Sequence, residues 1–320
     1  MAVPSMLFLF SFSRSMHRVF AVMYMKQWIS IAAASALAIA LLSQPEAAAA
    51  QARAGMMLCM QTVIPSLFPF FAVVSLLLQL GIVNRLQRLF LPFMSPLFRL
   101  RGAAAIPLLS GLAGGYPSGA KTAAQLYEEG LLTKKEAEVC LGFVNNCGSA
   151  FFLAYIGTGI LEDQRLGLWL YLIHVLSALL TGMLLCRVAG LRRRAEFPIP
   201  RLAAPKSFPQ LFAAAVLSAF SSVLNICAFV ILFRAFSAVL PAALGPFLGL
   251  FELVSGTALL SPDRTGFLLA AALTGWGGLS VHCQTIAVIG SLSPRWHWLG
   301  KAIQALLSLL LAWILYPFLT

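Results

Sequence analysis

Acidic residues are scarce in this sequence. Its 320 residues include 10 Asp or Glu against 22 Lys or Arg, and Asp163 and Asp263 are the two aspartates. The chain has no paired aspartates, no H-E-x-x-H pattern and no polar segment large enough to form a soluble active site. We therefore expect no enzymatic activity, no catalytic residue and no cofactor.

Paired cysteines are also missing. The six cysteines are scattered without a C-x-x-C pair, which argues against both a zinc site and a disulfide framework. We expect no bound metal, and we interpret the thiols as small apolar packing groups. They are Cys59, Cys140, Cys147, Cys186, Cys227 and Cys283.

Charged residues of either sign make up 10% of the chain, whereas 60% is hydrophobic. A soluble domain carries roughly 25% charged residues, so this composition indicates an integral membrane protein with the lipid bilayer as its partner. The net charge of +12 does not indicate nucleic-acid binding. The basic residues lie between apolar segments, where orientation signals belong, and not on a folded polar domain.

Seven apolar windows approach the roughly 20 residues that cross a bilayer. Two shorter glycine-rich segments, 103–116 and 245–260, are flanked by prolines and suit re-entrant or broken helices. We therefore predict an all-α fold, a polytopic transmembrane helical bundle of about seven spans plus two re-entrant or broken helices. The windows are 27–43, 62–80, 140–157, 166–188, 209–239, 266–290 and 298–318.

The first window has an alternative interpretation. Lys26 precedes it and Ala47–Ala50 follow it, as in a secretory signal peptide with a small-residue cleavage site. We favour an uncleaved helix.

Basic loops orient these segments, because Lys and Arg in short loops mark the cytoplasmic side. If 103–116 enters the membrane and returns to the same side, every strongly basic loop falls on the cytoplasmic side. The order span, dip, span, span then occurs twice, with the dips entering from opposite sides.

That order indicates an inverted-topology repeat with a binding site near the membrane midplane. Similar hydropathy without true repetition is the alternative. The predicted divisions are an N-terminal extension with the first helix (1–47), a first repeat (48–190), a basic cytoplasmic linker (191–207) and a second repeat (208–320).

The segment 110–122 is glycine-rich, but it lacks the glycine–lysine spacing of a Walker A loop. Pro117 suits the start of a helix over about 118–129, and Ser118 suits its cap. Free N–H groups at that start, with Lys121 in the first turn, favour an anion. Close packing through small residues, with Lys121 reaching the membrane interface, is the alternative.

Polar side chains inside apolar windows are costly unless they pair or face a cavity. A capping box at Thr133 starts the helix that leads to Asn145 and Asn146. At the corresponding place in the second repeat, His282 can contact a solute or titrate near neutral pH. A structural role is the alternative for His282.

Glu252 is the sharpest single signal, because an intramembrane carboxylate is a functional hypothesis by default. It suits proton or cation coupling. A structural hydrogen bond or ion pair is the alternative, with Lys121 of the opposing dip as the natural partner.

Four ordered motifs resemble one protein family. They are Pro65–Phe71, Gly114–Lys121, Phe143–Asn146 and Gly275–His282. They are similar to motifs of the sporulation integral membrane proteins of the YlbJ (SpoVV) type, and the resemblance covers about 48–318. That family is grouped with nucleoside-recognition Gate membrane domains.

The resemblance implies a transporter or channel for dipicolinic acid across the outer forespore membrane of a spore-forming bacterium. It also leaves open that the protein is located in the cell membrane of such a bacterium. For this small aromatic dianion, Lys121 would bind a carboxylate, Asn145 and Asn146 would donate hydrogen bonds, and Tyr116 or Trp276 would stack.

Two other readings of the resemblance remain open. A nucleoside-type solute would have little need of Lys121, and a non-transporting scaffold of a sporulation complex would bind no solute. A homo-oligomer or sporulation membrane partners are also open. The candidate substrate-binding residues are Gly115, Tyr116, Pro117, Ser118, Gly119, Lys121, Asn145, Asn146, Ser149, Glu252, Ser255, Gly256, Trp276, Ser280, His282 and Gln284.

Overall fold

The computed structural model describes residues 27–80, 89–90, 92–192, 207–239 and 247–319. Within these ranges the chain is helical and contains no strand, which confirms the all-α prediction. Residues 1–26 and most of the basic linker lie outside the described ranges.

The N-terminal helices are bent against each other. Helix α1 (Gln27–Ser43) meets α2 (Pro45–Leu58) at an angle of 97°, with α2 continuing through a π-helical turn to Val63. Helix α3 (Ile64–Gln79) follows directly and contains Pro69. A proline removes one helical hydrogen bond and favours a kink, and α2 and α3 both pack on a later long helix, described below.

The first predicted dip is a helical hairpin. Helix α4 (Ala105–Gly114) ends in a turn at Gly115, and α5 (Ser118–Glu128) begins three residues after that glycine. The predicted helix over about 118–129 is therefore confirmed. Its cap is different, because Pro117 occupies the cap position and Ser118 is the first helical residue.

The predicted span 140–157 is interrupted. Helix α6 (Lys134–Val144) starts with the predicted capping box at Thr133 and stops before four non-helical residues, 145–148. A π-helix then runs from Phe151 to Thr158, and α7 (Gln164–Val188) follows after a short loop.

The second part of the chain begins with the longest helix, α8 (Phe208–Ser237), on which α2 and α3 pack. Two short helices, α9 (Leu248–Phe251) and α10 (Leu253–Thr257), flank Glu252 where the second dip was predicted. Residues 245–246 of that dip lie outside the described ranges.

The C-terminal helices form an antiparallel pair. Helix α11 (Arg264–Trp276) continues after Gly277 as α12 (Gly278–Val288), and α13 (Arg295–Leu315) packs against α11, α6 and α7. Gly277 has φ +90°, a left-handed conformation that glycine adopts without strain.

Four stretches of helix are long and apolar enough to cross a membrane, or up to five if the bent pair α1–α2 is one span. The four agree with predicted windows, and the protein is thus a multi-pass integral membrane protein. The count of seven spans is not confirmed. The α3 window holds a shorter apolar helix, Leu67–Leu77, and 140–157 is not one continuous helix. The four stretches are Gln164–Val188, Phe208–Ser237, Arg264–Val288 and Arg295–Phe318.

The described basic loops meet at one end of the bundle. Arg101 Nη1 donates to the carbonyl of Leu131 before α6 at 3.4 Å, and Ser293 N donates to the carboxylate of Glu138 at 2.9 Å. Near the end of α7, Arg187 donates to the carbonyl of Leu97 at 3.3 Å, in the π-helical turn Met94–Phe98 that precedes α4. That these loops lie on the cytoplasmic side of a membrane stays a prediction.

Candidate functional site

Four interruptions of helices converge inside the bundle. They lie at Gly115 after α4, at 145–148 after α6, at Glu252 between α9 and α10, and at Gly277 between α11 and α12. Helix ends leave backbone N–H and C=O groups without intrahelical partners, and such backbone is tolerated at membrane depth where it is buried in protein or lines a cavity.

A cavity lies among these interruptions, and the space open to the centre of a water molecule measures about 40 Å³. That space holds more than one water molecule, because about 10–15 Å³ suffices for one. Five predicted site residues line it: Gly115, Tyr116, Glu252, Ser280 and Gln284. The other lining residues are Leu67, Phe71, Cys147, Gly148, Phe151, Ile226, Leu253, Val254 and Val281.

Glu252 is 1% exposed and caps α10. Its carboxylate accepts from the backbone N–H of Val254 at 3.0 Å and from that of Ser255. An N-terminal carboxylate cap is favourable because it pairs with free N–H groups and with the positive end of the helix dipole. Of the structural alternative weighed from the sequence, the hydrogen bonds are present and the ion pair with Lys121 is not, because the described residues contain no salt bridge of 4.0 Å or less that includes either residue.

Lys301 of α13 is a buried cation that sequence reasoning missed as a site residue. It is 0% exposed, and its Nζ donates to the carbonyl of Asn145 at 3.0 Å and to Gln304 Oε1 at 2.8 Å. The same ammonium lies 5.3 Å from the ring centroid of Tyr116, within cation–π range. Because Tyr116 also lines the cavity, its ring connects the buried lysine with the open space.

The spacing of polar residues along α13 could have identified Lys301 as a residue that faces the interior of the bundle. His297, Lys301, Gln304 and Ser308 follow each other at spacings of four, three and four residues, which places them on one face of the helix. All four are 0% exposed. A polar stripe along an apolar span marks the face that points into the bundle.

The two predicted amides are held inside the protein and do not line the cavity. Asn145 Nδ2 donates to Thr285 Oγ1 of α12 at 2.7 Å, and Asn146 Oδ1 accepts from Gln304 at 3.0 Å. His174 of α7 accepts from the backbone N–H of Cys147 at 3.2 Å. These bonds stabilise the break after α6 with groups from three other helices. Asn145 Oδ1 has no hydrogen-bond partner among the described residues.

His282 is enclosed and also does not line the cavity. Its ring lies between Trp276 and Trp298, with centroid distances of 4.4 and 4.1 Å. His297 Nδ1 lies 3.2 Å from the carbonyl oxygen of Leu141 and therefore carries a proton. In the neutral pair His282 Nδ1 then donates to His297 Nε2 at 2.8 Å, which favours the structural interpretation of His282.

Trp276 is half-buried, and its indole N–H donates to the carbonyl of Leu250 at 3.2 Å. Ser280 and Gln284 share one face of α12, and each is 3% exposed or less. Within the described ranges, Gln284 Oε1 has no hydrogen-bond partner. Gln284 is therefore a buried polar group that is available to a solute.

Lys121 is not brought to the cavity. It is exposed on α5, and the described residues give its side chain no hydrogen bond or ion pair. Ser118 donates to the carbonyl of Ser110 at 2.8 Å instead of capping the helix.

Gly119 lies so close to α6 that a Cβ there would fall 2.0 Å from the carbonyl oxygen of Val144. Close packing through small residues is therefore what the structure shows at Gly119, which is the alternative weighed from the sequence. Pro117, in a cis peptide bond with Tyr116, precedes α5.

The remaining candidates lie beside the cavity. Ser149 is half-buried just after the break that follows α6, whereas Ser255 is 0% exposed in α10. Gly256 packs directly on the backbone of Gly249 in α9.

Two tyrosine hydroxyls join the two parts of the chain across the cavity. Tyr116 donates to the carbonyl of Thr274 in α11 at 3.0 Å, and Tyr155 donates to that of Val254 in α10 at 2.8 Å. These two hydrogen bonds therefore connect 48–190 with 208–320 near the cavity.

Comparison with known proteins finds sequence similarity over the segments that form this site. Residues 60–162, which include the first two interruptions, match the family model Gate, described as nucleoside recognition. The chain is 27% identical over 328 aligned residues to the sporulation integral membrane protein YlbJ of Bacillus subtilis (strain 168). The alignment covers 88% of this chain and 80% of that protein.

The resemblance to YlbJ is confirmed. No solved structure matches this chain. The Gate match ends in the π-helix Phe151–Thr158 and the loop after it, so it includes the backbone at Gly115 and at 145–148. The interruptions at Glu252 and Gly277 lie outside the matched segment but inside the length aligned with YlbJ.

Proposed function

We propose that this protein is a transporter or channel for a small anionic aromatic solute, dipicolinic acid, across the outer forespore membrane. The observation that carries the proposal is the buried Lys301 ammonium behind Tyr116 at the edge of the cavity. A cation held by neutral partners in a bundle interior can be neutralised by an anionic solute, which makes the solute's binding favourable there.

The lining suits a small aromatic ring. Phe71, Tyr116 and Phe151 offer aromatic surface, and Ser280 and Gln284 offer hydrogen bonds from α12. Pockets for small molecules are mostly apolar with a few placed polar groups. In the closed structure the open space is smaller than a dianion of this size requires, so Tyr116 must move for the solute to reach Lys301.

The segment directions support an inverted repeat and further membrane crossings. Residues 134–158 start at the basic end of the bundle and are interrupted after Val144, while 264–288 start at the opposite end and are interrupted at Gly277. Paired interrupted helices of opposite direction are typical of transporters with inverted repeats. We infer that 134–158 is a broken span and that the divisions 48–190 and 208–320 are the two repeats.

A nucleoside-type solute is the second candidate, and the description of the matching family model favours it. Such a solute would use Gln284 and the aromatic side chains but would gain little from Lys301. A non-transporting scaffold is the third.

Transport in proteoliposomes distinguishes these functions. Saturable uptake of radiolabelled dipicolinate that unlabelled dipicolinate inhibits, and uridine does not, is the expected result. Uptake of labelled uridine without uptake of dipicolinate would favour the nucleoside alternative. No uptake of either solute by protein that elutes as a single folded species would favour the scaffold.

A further inference from the structure

We propose that three arginines at the basic end of α7 form a binding site for the phosphate headgroup of an anionic phospholipid. Arg99, Arg187 and Arg192 line one surface cavity with a volume of about 400 Å³, together with Pro96 and Leu191. This cavity lies at the end of the bundle where the basic loops meet, away from the interruptions that surround Glu252 and Tyr116.

The backbone fixes the positions of two of these arginines. Arg99 follows the π-helical turn Met94–Phe98 in a left-handed conformation with φ +56°, and its N–H donates to the carbonyl of Ser95 at 3.0 Å. Arg187 Nη1 donates to the carbonyl of Met183 at 2.8 Å and to the carbonyl of Leu97, in the same π-helical turn, at 3.3 Å. Since a guanidinium has five N–H donors, these bonds orient Arg187 and leave further donors for a ligand.

Within the described part of the chain, no acidic group pairs with these three positive charges. Among the described residues the salt bridges of 4.0 Å or less are Arg101–Glu136 and Lys134–Glu138, and neither includes Arg99, Arg187 or Arg192. All three are exposed. Guanidinium groups that share a cavity repel each other, and a phosphate binds them through short charge-assisted and bidentate hydrogen bonds.

Apolar side chains beside the cavity favour a lipid over free phosphate. Val188 is 65% exposed, Leu184 46%, Phe93 53% and Leu97 39%. These side chains belong to the same two segments as the arginines, so acyl chains can lie on them while the headgroup reaches the guanidiniums.

The sidedness agrees with this occupant. Basic loops mark the cytoplasmic side, and the cytoplasmic leaflet carries anionic lipid that attracts basic groups at helix ends. The arginines would therefore meet their ligand in the leaflet that contains it.

The test is lipid binding to the purified full-length chain in detergent, measured by native mass spectrometry with phosphatidylglycerol and phosphatidylcholine in competition. We expect the wild type to prefer phosphatidylglycerol. In the double variant Arg99→Gln/Arg187→Gln that preference should be about 25-fold lower, since each arginine near a membrane surface contributes roughly fivefold. The matched control is Arg165→Gln/Arg295→Gln, which removes the same charge from two other exposed arginines and should keep the preference.

Other outcomes overturn the proposal. If the double variant keeps the wild-type preference for phosphatidylglycerol, the proposed site does not exist. If the control loses as much of that preference as the double variant, the effect is one of total charge and not of this site. Competition by soluble glycerol 3-phosphate at the potency of the lipid shows a free phosphate site instead. If the double variant does not fold, the single variant Arg192→Gln tests the proposal, because the Arg192 side chain makes no hydrogen bond with the described residues. The preference of Arg192→Gln for phosphatidylglycerol must then be about fivefold lower than that of the wild type.

Discussion

Replacement of Lys301 by Met tests the charge at the centre of the proposed transport site. Met keeps the apolar length of the side chain and removes the ammonium, which donates to the carbonyl of Asn145 at 3.0 Å and to Gln304 Oε1 at 2.8 Å. An ammonium and a carboxylate about 4 Å apart attract each other by about 4 kcal/mol at an effective dielectric constant of about 20. That attraction would correspond to nearly a thousandfold in affinity.

The net effect on transport is smaller, because Lys301 must first release its two acceptors. Each hydrogen bond from the charged ammonium contributes about 1.5 kcal/mol net, which leaves about 1 kcal/mol of the attraction. We therefore expect Lys301→Met to reduce dipicolinate uptake into proteoliposomes, per folded protein at low substrate concentration, by about fivefold. Uptake of an uncharged solute should change much less.

The stability of each variant must be measured together with its transport. Lys301→Met lowers stability by leaving two buried acceptors unpaired, and it raises stability by removing a buried charge. Thermal unfolding in detergent gives the folded fraction of each variant. The matched control is Lys121→Ala, which removes an exposed lysine that lies away from the cavity and should transport like the wild type. Normal dipicolinate uptake by folded Lys301→Met, with loss in Lys121→Ala, would refute the reasoning and restore the lysine of α5 as the anion contact.

Two further predictions concern the helices that hold the site. Gly119→Ala should lower the melting temperature by several degrees, because its Cβ would lie 2.0 Å from the carbonyl oxygen of Val144 and overpacking costs about 1–3 kcal/mol; an unchanged melting temperature would contradict the close packing of α5 on α6. Thr133→Ala should cost about 1 kcal/mol, since it breaks the capping box with Glu136. Its uptake per folded protein should equal that of the wild type, and a loss of uptake with normal stability would mean that the start of α6 contacts the transport path.

The long apolar helices and the helix starts follow from local sequence. Helix α7 agrees with its window because a continuous apolar run of that length has no other stable form in a membrane. The capping box at Thr133 is a pattern of neighbouring residues, and the carboxylate of Glu252 was noticeable because it lies in an apolar segment. Local chemistry was sufficient for all three.

The direction of Lys121 was predictable in principle. On α5 the exposed residues Lys121, Gln125 and Glu128 follow each other at helical spacing, while alanines occupy the buried face. A helix with this pattern turns its polar stripe away from the core. The glycines before α5 favoured an anion site at the start of this helix, and that interpretation did not take the periodicity of its polar residues into account.

The interruption after Val144 was not predictable from the local sequence. The four residues that follow are stabilised by partners far along the chain, such as Thr285 and Lys301, which lie 140 and 156 residues beyond Asn145. A window of hydropathy contains no information about such partners. The seven-span estimate, which treated 140–157 as one continuous helix, is therefore not confirmed.

The hydroxyls of Tyr116 and Tyr155 have a consequence for the resting population. A cycle in which 48–190 and 208–320 part must break both of their bonds, to Thr274 and Val254. At about 1 kcal/mol each, the two bonds together favour the closed form by roughly 30-fold. With all other contributions balanced, about 3% of molecules would be open at any moment, so a bound solute would need only a modest preference for the open form to make it the major one.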